Sequence, residues 1–265
     1  MSTITKITVQ KKKSDRYNIF LDEKYAFSVD EDVLIKHQLK KGMEIDEFFL
    51  SEISYQDDIR KSYNLAIQYL SRRMRSEGEM RKHLKEKEVD ESIIQEVIHK
   101  LYEYSFLNDE EFAVAFVRTA MNTTDKGTGT IRRELREKGI MDALIDSALT
   151  EYPFEKERDR AIKLCEKFVQ KNTRDSSIVM KQKLEQLLIR KGFPFSTIQA
   201  AIAEIQMDKA EDEEMHALRT QAEKAHRKYG KLAGYEYEQK MKQTLFRKGF
   251  AFELIEQVLD EFKEV

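Results

Sequence analysis

The sequence predicts a mainly α-helical protein, with tandem three-helix repeats forming an elongated curved array behind a small N-terminal β-rich domain. Three observations predict it. Two prolines, Pro153 and Pro194, are all that interrupt 265 residues, and proline is the residue that removes a helical donor and clashes with the preceding turn. From about residue 57, apolar residues recur at the three- and four-residue steps of one buried helical stripe. One block then appears four times, as LKEKEV (84–89), LREKGI (135–140), LIRKGF (188–193) and LFRKGF (245–250), with leading leucines 51, 53 and 57 residues apart.

Residues 1–50 form the first domain. TKITVQ (5–10), RYNIFLD (16–22) and KYAFSV (24–29) are short, β-branched and aromatic, and predict an antiparallel sheet of two or three strands. DEDVLIKHQLKKG (30–42) predicts a short helix capped by Asp30, with Gly42 beyond its end. The first repeat occupies 57–107. Tyr63, Ile67, Leu70 and Met74 mark its leading helix, ending near Arg75, with Asp57-Asp58 in the first turn. Ser76 and Glu79 form a capping box for the middle helix, carried by Met80 and Leu84. Asp90 starts the third, carried by Ile93, Ile94, Val97, Ile98 and Leu101.

The second, third and fourth repeats occupy 108–152, 153–207 and 208–265, with leading helices at 109–121, 155–171 and 211–229. Asn108 and Glu111 cap the first of these, and Pro194 sits where a first-turn proline is tolerated. Each block ends on an apolar residue (Val89, Ile140, Phe193, Phe250), followed at fixed offsets by Ile94, Ile145, Ile198, Ile255 and by Ile98, Leu149, Ile202, Leu259. Between them stand Glu88, Gly139, Gly192 and Gly249, and glycine tolerates the positive φ of a helix C-terminus. Such units bury little alone, so neighbours are expected to stack. NTTDKGTGT (122–130), NTRDSS (172–177) and the acidic DKAEDEE (208–214) are the expected joints, and Tyr102, Tyr104 and Phe106 are expected in the core between the first two units, with base stacking as the alternative.

Composition narrows function. Lys and Arg total 47 against 49 Asp and Glu, so any nucleic-acid contact must come from local patches rather than overall charge. One cysteine, Cys165, precludes an internal disulfide, and no apolar run approaches a membrane span. We therefore expect a cytoplasmic monomer without cofactor or metal. His37, His83, His99, His216 and His226 form no metal-ligand pattern. Cys165 in AIKLCEKFV lies on an apolar stripe, as a structural thiol does. KGTGTIRREL (126–135) has glycines ahead of a helix but lacks phosphate-loop spacing, so a joint capped by Thr128 or Thr130 is the simpler reading, with an anion contact aided by Arg132 and Arg133 as the alternative. We expect no catalytic residues.

The remaining signal is cationic. Basic residues recur on the middle helix and the elbow after it: Arg81, Lys82, Lys85 and Lys87; Arg132, Arg133, Arg136 and Lys138; Lys181, Lys183, Arg190 and Lys191; Lys240, Lys242, Arg247 and Lys248. Cations near a helix C-terminus stabilise it, but recurrence at one place in every repeat also suits a stripe facing phosphates or an acidic groove. Arg72, Arg73 and Arg75 add a cluster of forked donors.

YLSRRMRSEGEMRKHL, LNDEEFAVAFVRT and KGTGTIRRELREKGI, in that order across 63–150, resemble the signature of the RecX family, regulators of the recombinase RecA. The N-terminal sheet and extra repeats resemble the longer Gram-positive members; many relatives have three helical units rather than four. The resemblance implies a non-enzymatic modulator, mostly negative, that binds in the groove of the RecA–DNA filament and restrains its ATPase and strand exchange, with weak contact to single- or double-stranded DNA. It places Arg72, Arg73, Arg75, Glu79, Asn108, Asp109, Lys138 and Gly139 at characteristic positions. A nonspecific DNA-binding module and a helical protein-interaction scaffold are the alternatives.

Overall fold

The computed structural model describes residues 1–11, 14–205, 211–232 and 234–262. The chain folds into two compact units: Met1–Ala113 with Glu137–Leu144, and Val114–Arg136 with Ile145–Val265.

The first unit opens on β1 (Ser2–Val9), β2 (Arg16–Leu21), β3 (Lys24–Asp30) and β4 (Glu44–Ile45), one antiparallel sheet in the order β3-β2-β1-β4. The β2–β3 turn is Asp22-Glu23, both at positive φ, as a tight hairpin twisted like its strands requires. β4 has two residues and left no alternation to read. α1 (Glu31–Lys36) begins at its Asp30 cap but stops at His37, well short of Gly42.

α2 (Glu47–Leu70) departs further from expectation. Asp46 accepts the Phe49 N–H at 2.7 Å and starts the helix about ten residues before the apolar spacing becomes helical. The stretch between the expected first domain and first repeat is therefore the interior of one helix. Its N-terminal part gives Ile53, Phe49 and Leu50 to the core of Ile4, Ile19, Val29, Val33 and Ile45. Its C-terminal part gives Ile59 and Ala66 to the core of Met80, Leu84, Ile94, Val97 and Leu101. A helix serving two cores changes its apolar face midway, which hides its continuity in sequence. Asp57 is accordingly not a first-turn residue but a buried mid-helix one.

Ser71 ends α2 by bonding back to Ile67 and Gln68. Arg72, Arg73 and Arg75 thus lie in the connection to α3 (Glu77–Glu86), beyond the helix whose last turn they were expected to occupy. The Ser76–Glu79 capping box is present. α4 (Glu91–Glu103) follows, with Asp90 at the N-cap. Tyr102, Tyr104 and Phe106 are exposed at its end rather than in a core, because Leu107 alone turns inward there.

α5 (Asp109–Thr123), α6 (Thr128–Glu137) and α7 (Asp142–Leu149) come next. The second unit continues with α8 (Phe154–Lys171), α9 (Ser177–Lys191) and α10 (Phe195–Glu204) around Cys165, Met180, Leu184, Leu188, Phe193 and Ile198. It ends with α11 (Glu211–Tyr229), α12 (Gly234–Phe246) and α13 (Phe252–Glu261) around Leu218, Met241, Leu245, Phe250, Ile255 and Leu259. Of the expected acidic joint, 208–210 lie outside the described residues and 211–214 are the first turn of α11. Cys165 is fully buried, and burial raises its thiol to about 11, so it stays protonated. Among the described residues no helix is long and apolar enough to cross a membrane, and no three His, Cys, Asp or Glu side chains group as a metal site would need.

Candidate functional site

The elbows between middle and third helices do more than turn the chain. Gly139, Gly192 and Gly249 all have φ near +82°, and Glu88 adopts φ +59°. Each glycine elbow presents a carbonyl to the start of the preceding middle helix. The Ser76 hydroxyl donates to the Lys138 carbonyl at 2.7 Å. The Gly127 and Gly129 N–H groups donate to the Lys191 and Gly192 carbonyls, each at 2.9 Å. The Ser176 hydroxyl donates to the Lys248 carbonyl at 2.6 Å. A Cβ on Gly78 or Gly127 would run into the elbow backbone it faces. At Gly139 and Gly192 the elbow glycine thus has two causes, a left-handed turn and a close approach to another backbone, whereas Gly249 faces the Ser176, Ile178 and Val179 side chains. The first elbow, with no earlier three-helix repeat to meet, carries Glu88.

A second contact repeats with the first. Asp109 accepts the Glu77 N–H at 2.8 Å, Glu157 the Thr128 N–H at 2.7 Å, and Glu214 the Ser177 N–H at 3.1 Å. In each case a carboxylate from a leading helix meets the positive end of the preceding middle helix. Glu157 is buried and also accepts from the Thr197 hydroxyl at 3.1 Å. The question raised by KGTGT is answered by these bonds. Its free N–H groups are taken by Glu157, Lys191 and Gly192, and its glycines admit an elbow rather than a phosphate. Thr128 and Thr130 lie inside α6 instead of capping it.

With the elbows fixed by backbone, the cations divide into two groups. Arg73 pairs with Glu79 at 2.8 Å and Lys138 with the same carboxylate at 3.0 Å. Arg81 pairs with Glu77 and Glu91, Lys85 with Glu91, Arg132 with Asp146, Lys183 with Asp175, and Lys242 with Glu238 and Glu256. Arg75 lies 3.9 Å over the Tyr69 ring, which stacks on His83. These side chains are committed within the fold. By contrast, Arg72, Lys82, Arg133, Arg190, Arg247 and Lys248 are exposed and make no ion pair among the described residues. Lys191 is half-buried with no ion pair among the described residues, and Arg136 is exposed on α6. The elbow pairs Arg190-Lys191 and Arg247-Lys248 flank the carbonyls that dock, so their stems leave from anchored backbone.

Glu79 gathers three roles: capping box, partner of Arg73 and partner of Lys138. Burial alone would raise its carboxyl, but hydrogen bonds from Arg73 and Lys138 and their charges outweigh that and hold it at about 2. Since the folded value lies below the ordinary 4.5, the stabilisation is complete above about pH 4.5 and is lost as pH falls toward 2. Glu79→Gln is expected to cost ~1–2 kcal/mol at neutral pH, about half the unscreened linkage value because the site is partly solvated. Urea melts should show that difference shrinking to nothing by about pH 2; a pH-independent gap would show that the ion pairs contribute nothing.

Features that sequence reasoning missed concern clefts. Arg60, Tyr63, Lys100, Tyr104 and Phe106 line one of about 320 Å³, with the Tyr63 and Tyr104 rings edge-to-face. Tyr235, Lys242, Phe246 and Phe252 line a groove of about 510 Å³ beside α12. Met121, Asn122, Tyr152, Lys156, Asp159, Arg160 and Lys163 line a third, of about 250 Å³. The i, i+4, i+7 spacing of Lys156, Arg160 and Lys163 was readable as one face of α8, but nothing in the sequence joins it to Met121 and Asn122.

Comparison with known proteins is consistent along the chain. Residues 2–46 match the RecX N-terminal domain, 63–101 the first RecX three-helix domain and 108–149 the second. The third three-helix domain matches twice, at 155–202 and 211–259, so the last repeat is similar to the one before it. Regulatory protein RecX of Bacillus subtilis strain 168 is 50% identical over 98% of this chain and 99% of its own. The protein of that name from Halalkalibacterium halodurans is 44% identical over 98% of this chain and all of its own. A crystal structure of regulatory protein RecX superposes with a TM-score of 0.70 at 39% identity, covering 77% of this chain and all of that one. RecX from Lactobacillus salivarius gives 0.55 at 36% identity, over 57% and 99%.

Proposed function

The chain belongs to the RecX family of regulatory proteins, and from that premise we propose that it modulates RecA, mostly negatively, by binding in the groove of the RecA–DNA filament. In this reading it restrains ATP hydrolysis and strand exchange, performs no catalysis of its own, and works in the cytoplasm as a monomer. One observation carries the reading beyond the family: exposed, unpaired cations recur at Arg133, Arg190, Arg247 and Lys248, on middle helices and elbows whose backbone is pinned by docking. Fixed cations at a repeated position suit a repeating anionic lattice, where each contact adds and none needs the chain to rearrange. Arg72 and Lys82 belong to the same exposed set in the first repeat. Arg73, Arg75, Arg81, Arg132 and Lys138 contribute at the surface only through the networks that hold them.

The test is the DNA-dependent ATPase of RecA with substoichiometric protein. Arg133→Glu combined with Arg190→Glu and Arg247→Glu should weaken the inhibition about tenfold or more, since reversing each contact costs on the order of 1 kcal/mol at a screened surface. The helical spectrum should be unchanged, because none of the three is paired in the fold. Inhibition equal to wild type would remove these arginines from the docking surface. An effect on naked DNA but none on RecA would favour a plain DNA-binding module.

A further inference from the structure

We propose that the cleft between the end of α5, Tyr152 and α8 is a phosphate-binding site that takes the backbone of a single nucleic-acid strand.

Tyr152 is 5% exposed and lines an open cleft, and among the described residues no acceptor stands within hydrogen-bond distance of its hydroxyl. The Arg160 guanidinium beside it carries only donors, so it can serve the phenolic oxygen but leaves the phenolic proton without an acceptor. A buried donor without an acceptor is costly, and an incoming oxyanion satisfies it. Burial, with the charge of Glu157, raises Tyr152 to about 12, so it remains a donor at neutral pH.

The cationic wall is ordered around that hydroxyl. Arg160 is held by its own bond to the Met121 carbonyl at 2.8 Å and by Asp125 at 3.6 Å. Lys156 and Lys163 stand one turn to either side on the same face of α8, exposed and without ion pairs among the described residues. Asp159, the acidic residue of the lining, is engaged by Arg158 at 3.1 Å. The cleft therefore keeps two unpaired ammonium groups and one unspent hydroxyl donor, a set that fits phosphate oxygens. From Lys156 to Lys163 the helix rises about 10 Å, longer than one phosphate needs and suited to successive phosphates of a strand. Asn122 at the rim leaves the site polar rather than apolar.

This contact supplies a DNA side to the proposed function and rests on that reading for its role, but it can be tested apart from it. The probes are single-stranded oligothymidylate and inorganic phosphate, with the full chain. Plotting log affinity for oligothymidylate against log salt, Lys156→Gln with Lys163→Gln should flatten the slope by about 1.4, the single-strand value for two phosphates. Tyr152→Phe keeps the ring and removes the donor, and should weaken binding about three- to tenfold without altering the slope. Inorganic phosphate should compete weakly with the oligonucleotide and lose that effect in the same variants. Slopes and affinities equal to wild type, with helical spectra intact, overturn the proposal. Phosphate binding that depends on the cleft, beside oligonucleotide binding that does not, overturns the assignment to a strand. The same variants in the RecA ATPase assay separate the two readings: unchanged oligonucleotide affinity with full inhibition sinks the cleft alone, and wild-type protein without inhibition sinks the proposed function alone.

Discussion

Gly192→Val is expected to destabilise the second unit by about 3–5 kcal/mol, from two independent causes. At φ +81° a β-branched residue suffers the left-handed clash, about 1–2 kcal/mol for an ordinary L residue and more with a branched Cβ. Its Cβ would also enter Thr130, touching backbone nitrogen and side chain where the elbow docks on α6. Overpacking at such a contact costs about 1–3 kcal/mol. The two causes separate by position. Gly42 has φ +88° with nothing within 4 Å of a built Cβ, so Gly42→Ala reads the backbone cost alone. Gly129 has an ordinary φ, but its Cβ would sit 2.8 Å from the Gly192 carbonyl, so Gly129→Ala reads the docking cost alone. In a repeat protein, stability sums intrinsic and neighbour terms. Losing the docking term should split one urea transition of the second unit into two, whereas Gly42→Ala should shift a single transition. An unaltered midpoint in Gly192→Val would show that the elbow backbone is not the contact described.

The repeat and its turns were legible because both leave marks on neighbouring residues. Four apolar columns in register announce a shared unit, and glycine in three elbows announces positive φ. Ser76 with Glu79, and Asn108 with Glu111, announce helix starts through residue types only three apart. What stayed hidden was long-range. That Ser76 bonds a carbonyl 62 residues on, or Ser176 one 72 residues on, leaves no local trace, since a backbone carbonyl exists at every position. Glu157 and Glu214 read as ordinary acids of a charged helix, and only the fold sets them against another helix's N-terminus. The candidate site divides along the same line. Recurrence of cations was visible, but which ones are spent internally depends on partners such as Glu79 for Lys138, 59 residues away. Arg73 and Lys138 stand at positions characteristic of the family, and the fold pairs both with Glu79 first.

A single-residue loss of the same size is expected at Asp57. Asp57 is 3% exposed and Arg16 is 7%, yet both are charged. Two arginine nitrogens donate to the two carboxylate oxygens at 3.2 and 2.8 Å, the Asp30 N–H donates at 2.8 Å, and Lys61 adds a contact at 2.9 Å. Burial works to raise this carboxyl, but these donors overcome it and hold it below the ordinary value of 3.8. Asp57→Ala leaves a buried guanidinium with no counter-ion, held only by Ser28, and the Asp30 amide without its acceptor, and should cost about 3–5 kcal/mol. Arg16→Met with Asp57→Leu removes both charges together and should recover most of that loss, because two desolvation penalties vanish with the attraction. Because the folded carboxyl is depressed, its contribution is complete above about pH 3.8 and fades below it. A loss under about 1 kcal/mol for Asp57→Ala would mean the pair behaves as a solvated surface bridge. The pair joins β2 and β3 to the middle of α2, the helix that also carries the first three-helix core. A defect there should therefore unfold the sheet and the first repeat together, and hydrogen exchange in Asp57→Ala should quicken at Ile19 and Met80 alike. Faster exchange at Ile19 alone would mean that α2 can fray at its sheet end while the repeat stands, and the single helix would be two cooperative pieces.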